Sequence, residues 1–178
     1  MQTLATEVIT KAALAAGLPE GRVINQVASD NLTLDRPRVE LQFLPATYRR
    51  TGRTLAFVRT EKNRVRKREL YEVEFSAAAN ILAEDDAWLA DFAYAFVAAL
   101  PRGVNDKRGN WVGIRAEKAT FGKAPDNRVG DEVIEVFHYI NELYELTFTW
   151  RVTADEVEAL IPTFTINVSM EAKHGQEG

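Results

Sequence analysis

The sequence lacks several residues and segments that would assign it to a particular class of protein. None of its 178 residues is cysteine, which excludes disulfides and thiolate metal sites. Histidine occurs only twice, at His138 and His174. No apolar run approaches the roughly 18 residues of a membrane helix, and the N-terminal residues lack the basic and apolar regions of a signal peptide. We therefore expect a soluble protein that is made in the cytoplasm and has no membrane partner.

The motifs of the common enzyme classes are also absent. The serines occur without a Gly-x-Ser-x-Gly elbow, and the ten glycines form no phosphate-binding loop. His138 and Glu142 are four residues apart, but they fall in a predicted strand, where that spacing separates them. The adjacent Asp85 and Asp86 precede an apolar run and are typical of a helix cap rather than of paired catalytic carboxylates. We therefore expect no catalytic residue, no cofactor and no metal.

The hydrophobic pattern predicts two main helices and a series of strands. Residues 3–16 and 86–100 carry apolar side chains at helical spacing. Alternating segments predict strands at 22–27, 38–44, 54–60, 70–82, 111–121, 132–140 and 144–152, with a turn near Asn141 and a polar basic turn region at 61–68. A short helix at 154–161, capped by Thr153, and a strand at 164–170 are predicted to follow.

This order of elements does not alternate strand and helix, which favours an α+β fold over a parallel α/β fold. We expect a mostly antiparallel or mixed β-sheet with two main helices packed on one face, plus a C-terminal short helix and strand. The prediction is a single α+β domain over residues 1–172, followed by a disordered C-terminal tail at 173–178.

Charge is strongly segregated along the chain. The net charge is −4, yet residues 49–68 carry nine basic side chains and one acid, Glu61. The remainder of the chain has 13 basic and 25 acidic residues. Such segregation concerns partners and association rather than the fold. The nine basic residues are candidate partner or subunit contacts: Arg49, Arg50, Arg53, Arg59, Lys62, Arg64, Arg66, Lys67 and Arg68.

Three interpretations of this basic segment remain open. It is a solvated hairpin that keeps a strand edge soluble, a docking surface for protein, or a contact for nucleic acid. Few aromatic residues accompany it, which weakens the nucleic-acid interpretation. Residues 131–158 carry eight acids and one base, Arg151. A basic hairpin and an acidic sheet region on one chain are what a head-to-tail ring uses.

The arrangement resembles that of the tail terminator (tail completion) proteins of tailed phages and prophages. The resemblance rests on the N-terminal helix ending at Ala15-Ala-Gly-Leu-Pro19, the strand Val39–Phe43 and the charged hairpin leading into Tyr71–Phe75. It continues through the aromatic helix Trp88–Leu100 and the strand Tyr144–Trp150, and covers about residues 1 to 152.

The resemblance implies a structural protein of the virion tail, made in the bacterial host cytoplasm. Such proteins form a homo-oligomeric ring, commonly a hexamer, that caps the tail tube and joins it to the head, or they act as a neck connector. The partners would be copies of the chain itself, the tail tube protein and the head–tail connector, with the charged hairpin lining the ring or touching the tube. Two rival hypotheses are a nucleic-acid-binding accessory protein that uses residues 49–68 and an enzyme whose pocket groups His138 with carboxylates.

Overall fold

The architecture comes from a computed structural model, which describes residues 1–25, 35–59, 63–123, 128–129, 132–133 and 140–159. A curled, mixed eight-stranded sheet carries two helices, so the predicted α+β class is confirmed. In chain order the elements are α1 (Gln2–Ala15), β1 (Val23–Asn25), β2 (Arg38–Phe43), β3 (Thr47–Arg50), β4 (Thr54–Arg59), β5 (Asn63–Ala83), α2 (Asp86–Ala99), β6 (Gly103–Asn105), β7 (Trp111–Lys123), β8 (Arg128–Val129), β9 (Glu132–Val133) and β10 (Ile140–Ala159).

The long strands β5 and β10 form the centre of the sheet. The strand order is β1-β2-β5-β10-β7-β6, with β8 and β9 as a separate small pair. Only β1 and β2 run parallel among the pairings that the structure describes. Along one edge of β5, three shorter strands pair with it in succession: β2, β3 and β4. Pro45 and Gly52 lie in the breaks between these three strands. Gly52 has a φ of +66°, a conformation that favours glycine.

The first helix ends where its sequence predicts. Gly17 has a φ of +101°, and its amide donates to the carbonyl of Leu14 at 3.0 Å. The amide of Leu18 donates to the carbonyl of Ala13 at 2.9 Å, which completes the hydrogen-bond pattern of a Schellman cap. Leu18 is buried, and Pro19 prevents the helix from continuing.

The second helix is anchored by a cap and an aromatic face. The carboxylate of Asp85 accepts from the amides of Ala87 and Trp88 at 3.3 and 3.2 Å, so the cap prediction is confirmed. Phe92 and Phe96 are buried, and Phe96 lies 5.7 Å from the ring of Tyr144 on the sheet.

Both helices pack on the same side of the sheet. Ile9 of α1 and Phe96 of α2 share one core with Val39, Ile81 and Phe148, residues that lie on one face of β2, β5 and β10. The predicted layering is therefore observed. We call this side of the sheet the helix side and the opposite side the far side.

Two predicted segments are wrong, and both lie at the ends of the central strands. Residues 63–68, predicted as part of a polar turn region, begin β5 instead. Residues 153–159, predicted as the capped start of a short helix, continue β10 instead. The two segments pair with each other residue by residue. Backbone pairing over six positions and contacts between opposite charges outweigh the local capping pattern.

The predicted turn near Asn141 is also wrong, because this residue lies inside β10 and its side-chain amide donates to Asn80 of β5 at 2.8 Å. The short strand β3 had no prediction, and the prediction of a loop at 101–110 is wrong for β6, which lies within it. His138, the strand at 164–170, the tail at 173–178, His174 and the rest of the predicted helix beyond 159 lie outside the described residues.

One irregularity divides β5 into two parts. Tyr71 pairs with Val152, whereas Glu69 pairs with the next residue, Thr153, so Leu70 is an extra residue in β5. Such a bulge changes which alternate residues point to a given face. Beyond it, Arg64, Arg66 and Arg68 share the helix side with Tyr71 and the core residues that follow.

Candidate functional site

The basic segment forms part of a three-stranded ribbon, which we call the arm. It consists of β4 (Thr54–Arg59), residues 63–69 of β5 and residues 153–159 of β10. The β5 segment lies in the middle and is antiparallel to both neighbours. None of the arm's residues belongs to the hydrophobic core that the two helices share with the sheet. The arm is therefore an extension of the sheet beyond its helix-covered core.

Ion pairs across the strands neutralise part of the charge on the helix side of the arm. Arg68 Nη1 donates to Glu156 Oε1 at 2.9 Å, and Arg66 Nη2 donates to Glu158. All four side chains are partly buried, at 31–42% exposure. The two acids belong to the acidic region 131–158. The acidic region therefore contacts the basic segment within one chain. A head-to-tail ring predicts such contacts between chains.

Arg64, which lies on the same side of the arm but farther from the core, contacts an aromatic ring rather than an acid. The guanidinium carbon of Arg64 lies 3.8 Å from the ring centroid of Phe57, a cation–π contact. Phe57 is 52% exposed, so this planar pair presents an amphipathic surface to solvent. On β3, the exposed Tyr48 stacks edge-to-face on Tyr71 with ring centroids 6.3 Å apart.

A buried carboxylate, Glu69, forms contacts at the base of the arm, the end that adjoins the core. Glu69 is 0% exposed and accepts a hydrogen bond from Arg53 Nη2 at 3.0 Å. Arg151 Nε lies 3.2 Å from the second oxygen of Glu69, in an ion pair without hydrogen-bond geometry. A hydrogen bond from the Thr51 hydroxyl, aided by the charges of Arg53 and Arg151, lowers the pKa of Glu69 although desolvation opposes this. The bound carboxylate thus joins the β3–β4 connection to β10.

The remaining basic residues differ in what they contact. Arg49 lies 3.7 Å from Glu72. Arg50 and Arg59 are exposed and make no ion pair with any residue that the structure describes. Lys67 is opposite Asp155 in the strand register, on the far side of the arm. Lys62 lies outside the described ranges.

The far side of the arm is apolar along one row. Val58, Val65 and Val157 occupy corresponding positions on the three strands. Val58 is 60% exposed and Val157 is 66% exposed. Valine suits a pleated strand surface, but an apolar row that is this exposed is typical of a surface that contacts a partner. The two sides of the arm therefore differ: one carries paired charges, the other carries valines.

No catalytic constellation is evident in the described ranges. They contain no group of three or more acidic, histidine or cysteine residues able to hold a metal ion. Neither of the two helices in those ranges is long and apolar enough to cross a membrane. A pocket beside the base of the arm has a mixed lining that includes Lys67, Glu72, Arg151 and the exposed Trp111.

Several residues of this site were not singled out from the sequence. Glu69 was not singled out, and Glu156 and Glu158 were set against the basic segment only as part of the acidic region 131–158, in contacts between copies. The alternating Arg-Val-Arg-Lys-Arg and Ala-Asp-Glu-Val-Glu segments nevertheless carry complementary charges at the same period. That shared two-residue period was the available signal. The buried position of Glu69 had no signal, because it depends on the bulge at Leu70.

The comparisons with known proteins give no relative. No protein-family model matches this chain, and no curated protein matches its sequence.

Proposed function

We propose that this protein is a structural component of a phage or prophage tail, either a tail terminator or a neck connector. In this role it forms a homo-oligomeric ring, commonly hexameric, that caps the tail tube and joins it to the head. The observation that carries the proposal is the arm, a ribbon of three strands that extends the sheet beyond the core on which the helices pack. A ribbon of this kind suits contacts between subunits rather than catalysis.

The fold supports the same proposal. The elements on which the resemblance rests include α1 ending at Gly17, the charged strand pair β4–β5, and α2 with its buried aromatic face. The return strand β10 lies beside β5 over its whole length. These elements enclose one core and the arm lies outside it, so its surface is free for partner contacts.

The charge pattern supports protein contacts over a purely electrostatic attraction to a polyanion. Arg49, Arg53, Arg66 and Arg68 each contact an acid of the same chain. Paired arginines contribute less to counterion release than free ones. Meanwhile the exposed valines of the far side favour an apolar contact.

The test is the solution mass of the full chain, followed by electron microscopy of negatively stained particles. We expect an oligomer of several copies, seen as a ring with a central opening. Reversing the charges of Arg50 and Arg59 is expected to shift the mass towards the monomer, because neither has an acidic partner in the described chain. Reversing Arg115 is the matched control, since it pairs with Glu117 on β7, away from the arm. A monomer at every concentration would contradict the proposal.

A nucleic-acid-binding accessory role is the second candidate. The observation that favours it is the stack of Arg64 on the exposed ring of Phe57, together with the unpaired Arg50 and Arg59 nearby in sequence. Three such arginines on single-stranded DNA predict a slope of log K against log salt of about −2. Binding that is absent at moderate salt, or that survives removal of Arg64, excludes this role for the arm.

A further inference from the structure

We infer that copies of this chain join head to tail through the two outer edges of the arm: β4 of one copy pairs, as a parallel strand, with residues 153–159 of β10 in the next copy. This inference rests on the proposed ring and names the surface that would close it. The partner is therefore a second copy of this chain.

The arm has two strand edges that the described chain leaves unpaired. β4 pairs with β5 on one side, and no other described strand pairs with it. β10 pairs with β7 only up to Thr149, so the outer edge of residues 153–159 has no described neighbour. All six residues of β4 are exposed. Unpaired backbone amides and carbonyls on an exposed edge are a template for another strand.

The direction of the strands determines the kind of junction. β4 and β10 are both antiparallel to β5, so they run in the same direction on opposite edges of the arm. Copies related by rotation about an axis along the strands keep that direction. The edge of β4 then meets the edge of β10 from the next copy as a parallel pair. Such a junction uses two different surfaces and closes into a ring when the rotation divides a full turn.

Charge favours this junction over pairing of like edges. β4 carries one arginine, Arg59, and no acid, whereas residues 153–159 contain three acids and no base. Pairing two copies of residues 153–159 would bring acids together, whereas the head-to-tail junction brings Arg59 beside the acids of the next copy. Like charges on directly opposed strands are destabilising, and opposite charges are stabilising. The chain already makes the favourable combination internally, between Arg68 and Glu156.

The apolar residues fit the same arrangement. Val58, Val65 and Val157 form a row across the arm, and its two ends are the exposed valines. In the head-to-tail junction Val157 of one copy comes beside Val58 of the next, so the row continues from arm to arm. Both side chains then lose exposed apolar surface. Pairing two copies of the same edge would cover either Val58 or Val157, but not both.

Engineered disulfides test the junction, because the natural chain has no cysteine. In one copy Val58 and Val157 are separated by β5, so their Cα atoms lie about 9.6 Å apart, two strand spacings. A disulfide needs Cα atoms within about 7 Å. A bond between cysteines at these positions therefore forms only between copies. The variants are Val58→Cys and Val157→Cys, prepared separately and then mixed under mild oxidation.

We expect a dimer-sized product on a non-reducing gel in the mixture, and at most traces in each variant alone. Asp155→Cys and Ala159→Cys, each mixed with Val58→Cys, cover a shift of the register by two residues. Val97→Cys, a partly exposed position on α2, replaces Val157→Cys in the matched control, where no product is expected. Circular dichroism checks that each variant keeps the fold.

Three results overturn the inference, and they differ in what they say about the ring. If the solution mass is that of a ring but none of the three mixtures gives the product, the ring stands and this junction is wrong. The same holds if Val58→Cys alone gives as much product as the mixture, since that indicates pairing of like edges. If the chain is a monomer throughout and no mixture gives product, the ring and the junction are both wrong.

Discussion

Phe96 is the residue whose loss most directly tests how α2 is held on the sheet. Its ring is 0% exposed, lies 6.1 Å from Phe92 and 5.7 Å from Tyr144, and so links the helix to β10. Phe96→Ala removes the ring and leaves a cavity, which costs about 3–5 kcal/mol of unfolding free energy. For a chain of 178 residues, each kcal/mol lowers Tm by about 2–4 °C. The expected fall in Tm is therefore about 6–20 °C.

The assay is thermal unfolding followed by circular dichroism, supported by denaturant titration at a fixed temperature. Phe121→Ala is the matched control, because this phenylalanine of β7 is 59% exposed and should change the unfolding free energy by less than about 0.5 kcal/mol. Phe96→Leu should fall between the two. Equal losses for Phe96→Ala and Phe121→Ala would refute the packing of α2 described here.

Four further predictions concern the helix ends and the titrating groups. Asp85→Ala should cost about 1 kcal/mol through loss of the cap, measured by denaturant unfolding, whereas Asp86→Ala should cost less; equal costs would contradict the cap. Gly17→Ala should lower the unfolding free energy by about 1–2 kcal/mol because of the positive φ, and no loss would mean a different helix end. Glu69 has a lowered pKa, so its carboxylate contributes fully to the free energy of unfolding above pH 4.5, the ordinary pKa, and this contribution is lost as pH falls below that value. Glu69→Gln should therefore flatten the acid limb of a plot of stability against pH. Burial and the hydrogen bond to Glu142 raise the pKa of Tyr144, so stability should decline as pH rises above its ordinary value of 10.0, and an unchanged alkaline limb in Tyr144→Phe would contradict this.

Local patterns were sufficient to predict the elements that bury one face. In α1 and α2 the apolar residues recur at helical spacing, and a glycine or an aspartate marks one end of each. In β2 the alternation of Val39 and Leu41 with polar residues predicts which face is buried. The same holds for β5 from Val73 to Ile81. Each of these signals lies within one turn or a few residues of chain.

The arm was not predictable in this way, because its signals are non-local. Arg68 and Glu156 are 88 residues apart in sequence, and each lies in a polar segment with no apolar face of its own. Taken alone, residues 153–159 have the pattern of a helix start, and 63–68 that of a turn. The basic residues were recognised as a candidate site by their charge alone. Their partners depend on the pairing of β5 with β10, which only the folded chain reveals.

The bulge at Leu70 sets which way the arm faces. Tyr71 pairs with Val152 and Glu69 with Thr153, so the extra residue shifts the alternation of β5 by one position and places the arginines, not the valines, on the helix side. A chain that lacked Leu70 would keep every other pair between β5 and β10, and its arginines would stay on that side. A deletion between Arg64 and Arg68 that kept the bulge would instead turn the side chains beyond it, towards Asn63, to the opposite side. The arm should therefore tolerate the loss of Leu70 better than the loss of a neighbouring residue.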